Sequence, residues 1–552
     1  MKKTWWKESV VYQIYPRSFK DTTGNGIGDI YGIIEKLDHI KSLGVDVIWL
    51  CPVYESPNDD NGYDISDYRK ISEDFGGQPA FDQLLKKVHE KGLKLVMDLV
   101  ANHTSDEHYW FTESKKSKDN PYRDYYIWKD GKNGGPPNNW ESFFNGSTWE
   151  YEPNTQQYYL HYFTKKQPDL NWENPKVRKE IFDVLEYWFQ QGVDGFRMDV
   201  ISLISKNLDY PYTGFEKLQD TIVNYYANGP KIHDYLHEMN QEVLRKYDIM
   251  TVGEGPGIDL KNGPLYVDAA RQELDMVFHF DHMFIDCGLG GKYDPVPVDF
   301  QTFKNVFGQW DAALKNGGWG SIFLGNHDFS RMVSRFGNDK EYREASAKLL
   351  AALLFTLRGT VYVYQGDEIG MTNVAYDSID DYNDVETCNA WKAAKAAGQD
   401  MDKFLDIVHS QSRDNARTPM QWDSGLYSGF SAVKPWLGVH PNYKTVNVAA
   451  QDKDADSILN FYRDMIAFRK EHRTLVYGDY ECLDEGHASI FAYRRWDTDH
   501  EFLVLHNFSD ATVSFSSDLD GEAYVLLKSN LALQQQHQFE LAPWQTKILK
   551  LT

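Results

Sequence analysis

Four cysteines in 552 residues are too few for a disulfide framework. Cys51, Cys287, Cys388 and Cys482 lie far apart with no metal-ligand spacing, so a reducing, cytoplasmic setting is expected rather than a stapled secreted scaffold. No apolar run reaches the roughly eighteen residues that a membrane span needs. The opening MKKTWWKESVVYQIYP lacks the apolar core and small-residue cleavage site of a secretory leader, which again favours the cytoplasm. Positive charge is scarce as well. Fifty-eight Lys and Arg stand against 82 Asp and Glu, a net −24, and phosphate backbones need basic surface, so nucleic acid is excluded as a partner. Repeats and low-complexity tracts are missing. The expectation is a soluble monomer acting on a neutral small molecule. The 16 Trp, 35 Tyr and 30 Phe suit stacking on sugars, although aromatic residues also fill large cores.

Short apolar strands alternate with helical stretches along most of the chain. Strands are predicted at 10–15, 45–51, 94–100, 193–199, 249–254, 275–279, 321–325 and 360–364, and helices at 33–43, 81–91, 177–191, 232–247 and 342–358. Eight strands with intervening helices predict a closed (β/α)₈ TIM barrel of the α/β class rather than an open sheet. The stretch 104–172 is too long for an ordinary βα loop and reads as a subdomain inserted after the third strand. A second excursion covers 372–422, and from 479 the pattern turns to alternating strands, a separate C-terminal antiparallel β-sandwich. The barrel is assigned 1–103 and 173–478, the insertion 104–172 and the β domain 479–552.

The GFRMD segment at 195–199 carries the clearest chemistry. Residues two apart in a strand share a face, so Arg197 and Asp199 point the same way. A guanidinium beside a buried carboxylate lowers its pKa and keeps it ionised, which suits a nucleophile; the alternative is a structural ion pair. Two more strands end on acids, IMTVGE on Glu254 and SIFLGNHD on Asp328. C-terminal strand ends form the active-site face of such barrels. One carboxylate held ionised near a second with a raised pKa is the arrangement of retaining glycoside hydrolysis.

With VVYQIYPRSF, NDDNGYDISDY, DLVANHTSDEH, QPDLNW, GFRMDV, VGE, NHD, YQGDEIGMTN and RDNARTPMQWD in place, the chain resembles the α-amylase superfamily, glycoside hydrolase family 13, nearly end to end. Within it the motifs are most similar to the oligo-1,6-glucosidase and dextran-glucosidase group. The resemblance implies Asp199 as nucleophile, Glu254 as general acid/base and Asp328 as the third acid, which holds sugar hydroxyls. It implies a terminal-glucose pocket of Asp60, Tyr63, His103, Arg197, His327 and Arg413, with Phe163 and Gln167 as lesser contributors. Val200 beside the nucleophile accompanies α-1,6 action in the resembling enzymes, where Ala or Thr accompanies α-1,4 preference. The implied activity is exo-acting, retaining α-glucosidase action on α-1,6 bonds of isomaltose, isomaltooligosaccharides, panose and short dextrans, with no cofactor in catalysis. Trehalose-6-phosphate hydrolase and sucrose isomerase are alternatives within the family; the Arg-Leu-Asp-Arg-Asp segment of sucrose isomerases is absent. A non-catalytic partner protein is the distant alternative, opposed by the presence of all three acids. Gly255, Phe329, Ser330, Arg358 and Val361 depart from the usual pattern around the pocket.

The segment DTTGNGIGD offers side-chain oxygens at Asp21, Thr23, Asn25 and Asp29 and a carbonyl at Ile27. Hard cations take such ligands, although Gly32 in the twelfth position rules out an EF-hand. The other reading is a Gly-rich turn satisfied by its own Asp and Asn side chains. Relatives carry structural Ca²⁺ or Mg²⁺ here, so a structural cation is expected.

Overall fold

Eight short strands, all parallel, line up as β1 (Val10–Ile14), β2 (Val47–Leu50), β3 (Lys94–Val100), β4 (Gly195–Asp199), β5 (Met250–Glu254), β6 (Met276–Phe278), β7 (Ser321–Ile322) and β8 (Thr360–Tyr364). The computed structural model describes residues 3–483, 486–516, 524–532 and 539–551. The strand ladder runs β6-β5-β4-β3-β2-β1-β8-β7. The seam between β6 and β7 is closed by side chains: Ser321 Oγ donates to the Val277 carbonyl at 2.8 Å, and His282 Nε2 meets the Phe323 carbonyl at 2.8 Å. The result is a nearly closed (β/α)₈ barrel.

Local sequence explains the elements that present the site. In the helix Pro175–Gln191, the Asn174 side chain accepts from the Lys176 N–H at 3.0 Å and proline takes the first position. Val177, Ile181, Leu185 and Trp188 recur at helical spacing and are fully buried, each worth about 1.5–3 kcal/mol of apolar transfer. Gly192 ends the helix at φ 102°. At the start of β4, a Cβ on Gly195 would sit 2.1 Å from the Met250 carbonyl oxygen, so only glycine lets β4 and β5 approach.

Three expectations need correction. The helix predicted at 33–43 is two short helices, Ile30–Glu35 and Leu37–Ser42, because Lys36 leaves helical geometry at φ −98°, ψ 5°. The strand predicted at 321–325 keeps only Ser321–Ile322, since the chain leaves the ladder to carry Asn326–Asp328 across the barrel mouth. The strand predicted at 193–199 begins only at Gly195; it ends at Asp199 as expected, and Val200 lies in the left-handed region at φ 38°, ψ 40°, a strained place for a β-branched residue.

After β3 the chain forms a helix, Tyr109–Ser114, and a three-stranded antiparallel sheet of Trp128–Lys129, Gln157–Leu160 and Trp149–Glu152. After β8 come the helices Val385–Ala396 and Met401–Gln411. The C-terminal part holds a five-stranded antiparallel sheet of Asp479–Cys482, Ile490–Trp496, Glu501–Asn507, Thr546–Leu551 and Tyr524–Ser529, in that order, and a smaller two-stranded sheet. Ile490, Leu503, Leu505, Leu549, Phe515 and Leu541 share one buried cluster across those two sheets. Among the described residues, no helix is long and apolar enough to cross a membrane.

Candidate active site

Parallel register across β3 and β4 sets Asp98 directly beside Arg197. Arg197 is 1% exposed, and its guanidinium serves three carboxylates. Nη1 contacts Asp98 and meets Asp199 Oδ1 at 2.8 Å, and Nη2 meets Glu254 Oε2 at 2.7 Å. Asp98 also accepts from the Trp49 indole at 2.8 Å. The left-handed turn at Val200 directs its N–H onto Glu254 Oε2 at 3.0 Å, so strain next to one acid orients the other.

Charge within this cluster differs from the sequence expectation that Arg197 would hold Asp199 low. Burial, and after it the charges of Glu254, Asp98 and Asp328, push the Asp199 carboxyl well above the ordinary range, against the pull of Arg197. One cation shared among three carboxylates cannot neutralise them all. Burial likewise raises Asp98 to about 6. Asp328 goes the other way: burial opposes its ionisation, but His327, Arg413 and Arg417 outweigh that and hold it below the usual range.

A second network closes the pocket. Arg413 meets Asp328 at 3.2 Å through Nη1 and Asp60 at 3.3 Å through Nη2, bridging the loop after β2 and the loop after β7. Asp384 anchors the same guanidinium at 2.7 Å, and Arg417 reaches Asp328 at 3.0 Å. The Tyr63 ring stacks on His327 with centroids 5.2 Å apart, and His327 Nε2 lies 3.1 Å from Asp328. Gln13 fixes the other imidazole nitrogen at 2.8 Å. Gln167 donates to Asp60 at 3.1 Å and lies 3.2 Å from His103 Nε2, and the Phe163 ring sits 5.0 Å from the His103 ring. Val200 joins Phe163, Phe144 and Tyr226 in one apolar cluster.

All twelve residues expected for catalysis and substrate contact therefore gather at the C-terminal mouth of the barrel. Sequence reasoning passed over Asp98, Asp384 and Arg417. Asp98 and Arg417 lie inside the motifs DLVANH and RDNARTPMQWD and could have been read as partners; Asp384 carries no local signal.

The Asp21–Asp29 loop lies elsewhere. Asp21 accepts from the N–H groups of Thr23, Gly24 and Gly26 at 2.9, 2.8 and 2.9 Å and from the hydroxyls of Thr23 and Ser431. Asp29 accepts from Thr22 N–H, Thr22 Oγ1 and Gly32 N–H at 2.7–2.8 Å, and Asn25 Oδ1 accepts from Ile27 N–H at 2.8 Å. The all-oxygen donor set has the chemistry of a hard-cation site. Its carboxylates are already engaged by internal donors, so an ion would share them with those N–H groups.

Ionisable carboxyl groups clustered at the mouth of a (β/α)₈ barrel, beside a pocket closed by hydrogen-bonding side chains, define a glycoside hydrolase. Residues 13–478 match the alpha amylase catalytic domain, and the chain belongs to the alpha-amylase family. An oligo-1,6-glucosidase of Parageobacillus thermoglucosidasius is 52% identical over 561 residues, covering all of both chains. The solved Bacillus licheniformis trehalose-6-phosphate hydrolase superposes with TM-score 0.93 at 45% identity. The isomaltulose synthase of Erwinia rhapontici NX5, solved as a mutant in complex with sucrose, superposes with TM-score 0.97 at 43% identity. Each of these two comparisons covers both chains fully.

Proposed function

We propose that the enzyme removes terminal glucose from α-1,6-linked oligosaccharides such as isomaltose and panose, with retention of configuration. The observation that carries this reading is the Arg197 fork, which holds Asp199 at 2.8 Å and Glu254 at 2.7 Å on one guanidinium. That placement is compatible with the separation of about 5–5.5 Å typical of retaining pairs. Asp199 attacks the anomeric carbon while Glu254 gives its proton to the leaving oxygen. Water then attacks the glycosyl-enzyme ester, its proton passes to Glu254, and glucose leaves. Three carboxyl groups around one guanidinium oppose full ionisation of the cluster. The Arg413 bridge from Asp60 to Asp328 supports exo action, because a guanidinium tying the loop after β2 to the loop after β7 would stand in the way of a glucan chain running past the acids.

The catalytic unit is proposed to comprise 1–103 and 173–478, with 104–172 contributing Phe163 and Gln167 and 479–552 forming the β domain. A structural cation at Asp21–Asp29 is part of the same reading, held by the oxygens of Asp21, Thr23, Asn25, Asp29 and the Ile27 carbonyl, and it takes no part in the chemistry.

A panel of isomaltose, panose, maltose, sucrose and trehalose-6-phosphate tests the assignment, with the anomer of released glucose followed by NMR. Release of α-glucose from isomaltose and panose is expected, and lost in Asp199→Asn with the fold retained. Cleavage of trehalose-6-phosphate without action on isomaltose, isomerisation of sucrose, or β-glucose as first product overturns it.

A further inference from the structure

Lys206 takes no part in that chemistry, yet it is 4% exposed and its ammonium is held among buried polar groups. Its ammonium has three oxygen partners: Asn102 Oδ1 at 2.6 Å, Asp169 Oδ2 at 2.6 Å and the Leu203 carbonyl at 2.8 Å. The Tyr162 ring covers it at 4.0 Å. Three chain segments thus meet on one ammonium: the stretch just after β3, the segment returning from the inserted region, and the loop after β4. Its two side-chain partners neighbour pocket residues, Asn102 preceding His103 and Asp169 following Gln167 by two.

Donor and acceptor chemistry fixes how each of these groups is turned. An ammonium only donates, so the Asn102 amide must point its oxygen at Lys206. Its NH₂ then faces His103 Nδ1, at 3.3 Å, and that nitrogen must accept. In a neutral imidazole the proton is therefore on Nε2, where the Tyr63 carbonyl accepts it at 3.2 Å. The opposite tautomer would oppose two donors at Nδ1 and leave that carbonyl without the proton. Gln167 turns its NH₂ to the same nitrogen at 3.2 Å, its amide oxygen being held by Thr164 N–H, but that one opposed donor is outweighed: Nε2–H satisfies both Asn102 and the Tyr63 carbonyl, whereas Nδ1–H would satisfy Gln167 alone. Burial brings His103 down to about 4, so the ring is neutral near pH 7.

We propose that Lys206 is a positioning residue which, through Asn102, locks His103 in the Nε2–H tautomer, so that the proton which the Tyr63 carbonyl accepts in the free enzyme lies on the nitrogen that a glucose hydroxyl would share. This rests on the reading of His103 as a glucose contact, and the test separates the two. Selective ¹⁵N-histidine NMR of the full chain, with His103 assigned by His103→Gln, should show Nε2 protonated in the parent enzyme. Asn102→Asp keeps the shape and the partner of Lys206 but offers Nδ1 an acceptor, and should move the proton to Nδ1. Lys206→Met frees the amide to turn and should give mixed tautomers. In Asn102→Asp, kcat/KM on isomaltose should fall about ten- to a hundredfold, as for loss of one well-placed donor, with Tm little changed. An Nδ1–H tautomer in the parent, or an unaltered tautomer in Asn102→Asp, overturns the proposal. A moved proton with unchanged isomaltose kinetics leaves the tautomer lock standing and overturns its link to glucose binding.

Discussion

Replacing Arg197 with Met removes the one cation shared by Asp98, Asp199 and Glu254, which it meets within hydrogen-bond distance. An adjacent guanidinium lowers a carboxyl pKa by about 1–3 units. Its loss adds to the burial and like-charge repulsion that already push Asp199 upward. The acid limb of the pH profile marks the loss of the ionised nucleophile, so it should move to higher pH. Because the carboxyls titrate as a coupled set, the whole bell should shift the same way, by about 1–3 pH units. On the former acid side this costs about ten- to a thousandfold in kcat/KM at fixed pH. Uncompensated buried charge should also cost about 3–5 kcal/mol of stability, so Tm falls alongside. The assay is kcat/KM on isomaltose across pH, with folding checked by circular dichroism at each point. A bell that stays in place, or moves to lower pH, refutes the view that Arg197 sets the charge of the cluster.

Val200→Thr and Val200→Ala should raise maltose activity relative to isomaltose by about ten- to two-hundredfold, the range for a methyl-sized change in a tight pocket, and the ratio of kcat/KM values reads it directly. Asp367, 3% exposed and raised to about 7 mainly by burial, binds its proton more tightly folded than unfolded, so its contribution is present at low pH and is lost as pH rises from about 4 to 7. Asp367→Asn should remove roughly 4 kcal/mol of that decline, at about 1.4 kcal/mol per pH unit, in urea unfolding followed against pH. Chelation should lower Tm by a few degrees without directly blocking turnover if a cation occupies Asp21–Asp29; an unchanged Tm identifies the loop as closed by its own hydrogen bonds.

Much of the architecture was legible because it is periodic. Apolar runs of strand length, interrupted by amphipathic helices, mark all eight barrel strands, and the strand alternation that puts Arg197 and Asp199 on one face needs no partner. Caps work the same way: Asn174, Pro175 and Gly192 fix the helix before β4 through contacts within a few residues. Acids at strand ends were visible too, since a parallel barrel gathers its strand C-termini on one face.

Tertiary structure decided what those groups do. Asp98 and Arg197 are 99 residues apart, and only the β3–β4 register sets them side by side. Arg413 comes from beyond β8, and closure of the barrel brings it to Asp60, 353 residues earlier. The left-handed turn at Val200 runs against local preference and persists because Glu254 and the surrounding aromatic side chains hold it. The charge of Asp199 could not be read from its neighbour in sequence, because burial and further acids, supplied by other strands, outweigh the arginine two residues away. Local sequence specifies which faces are apolar and where elements stop; long-range pairing specifies which charges share a solvent-free space, and the chemistry follows from that.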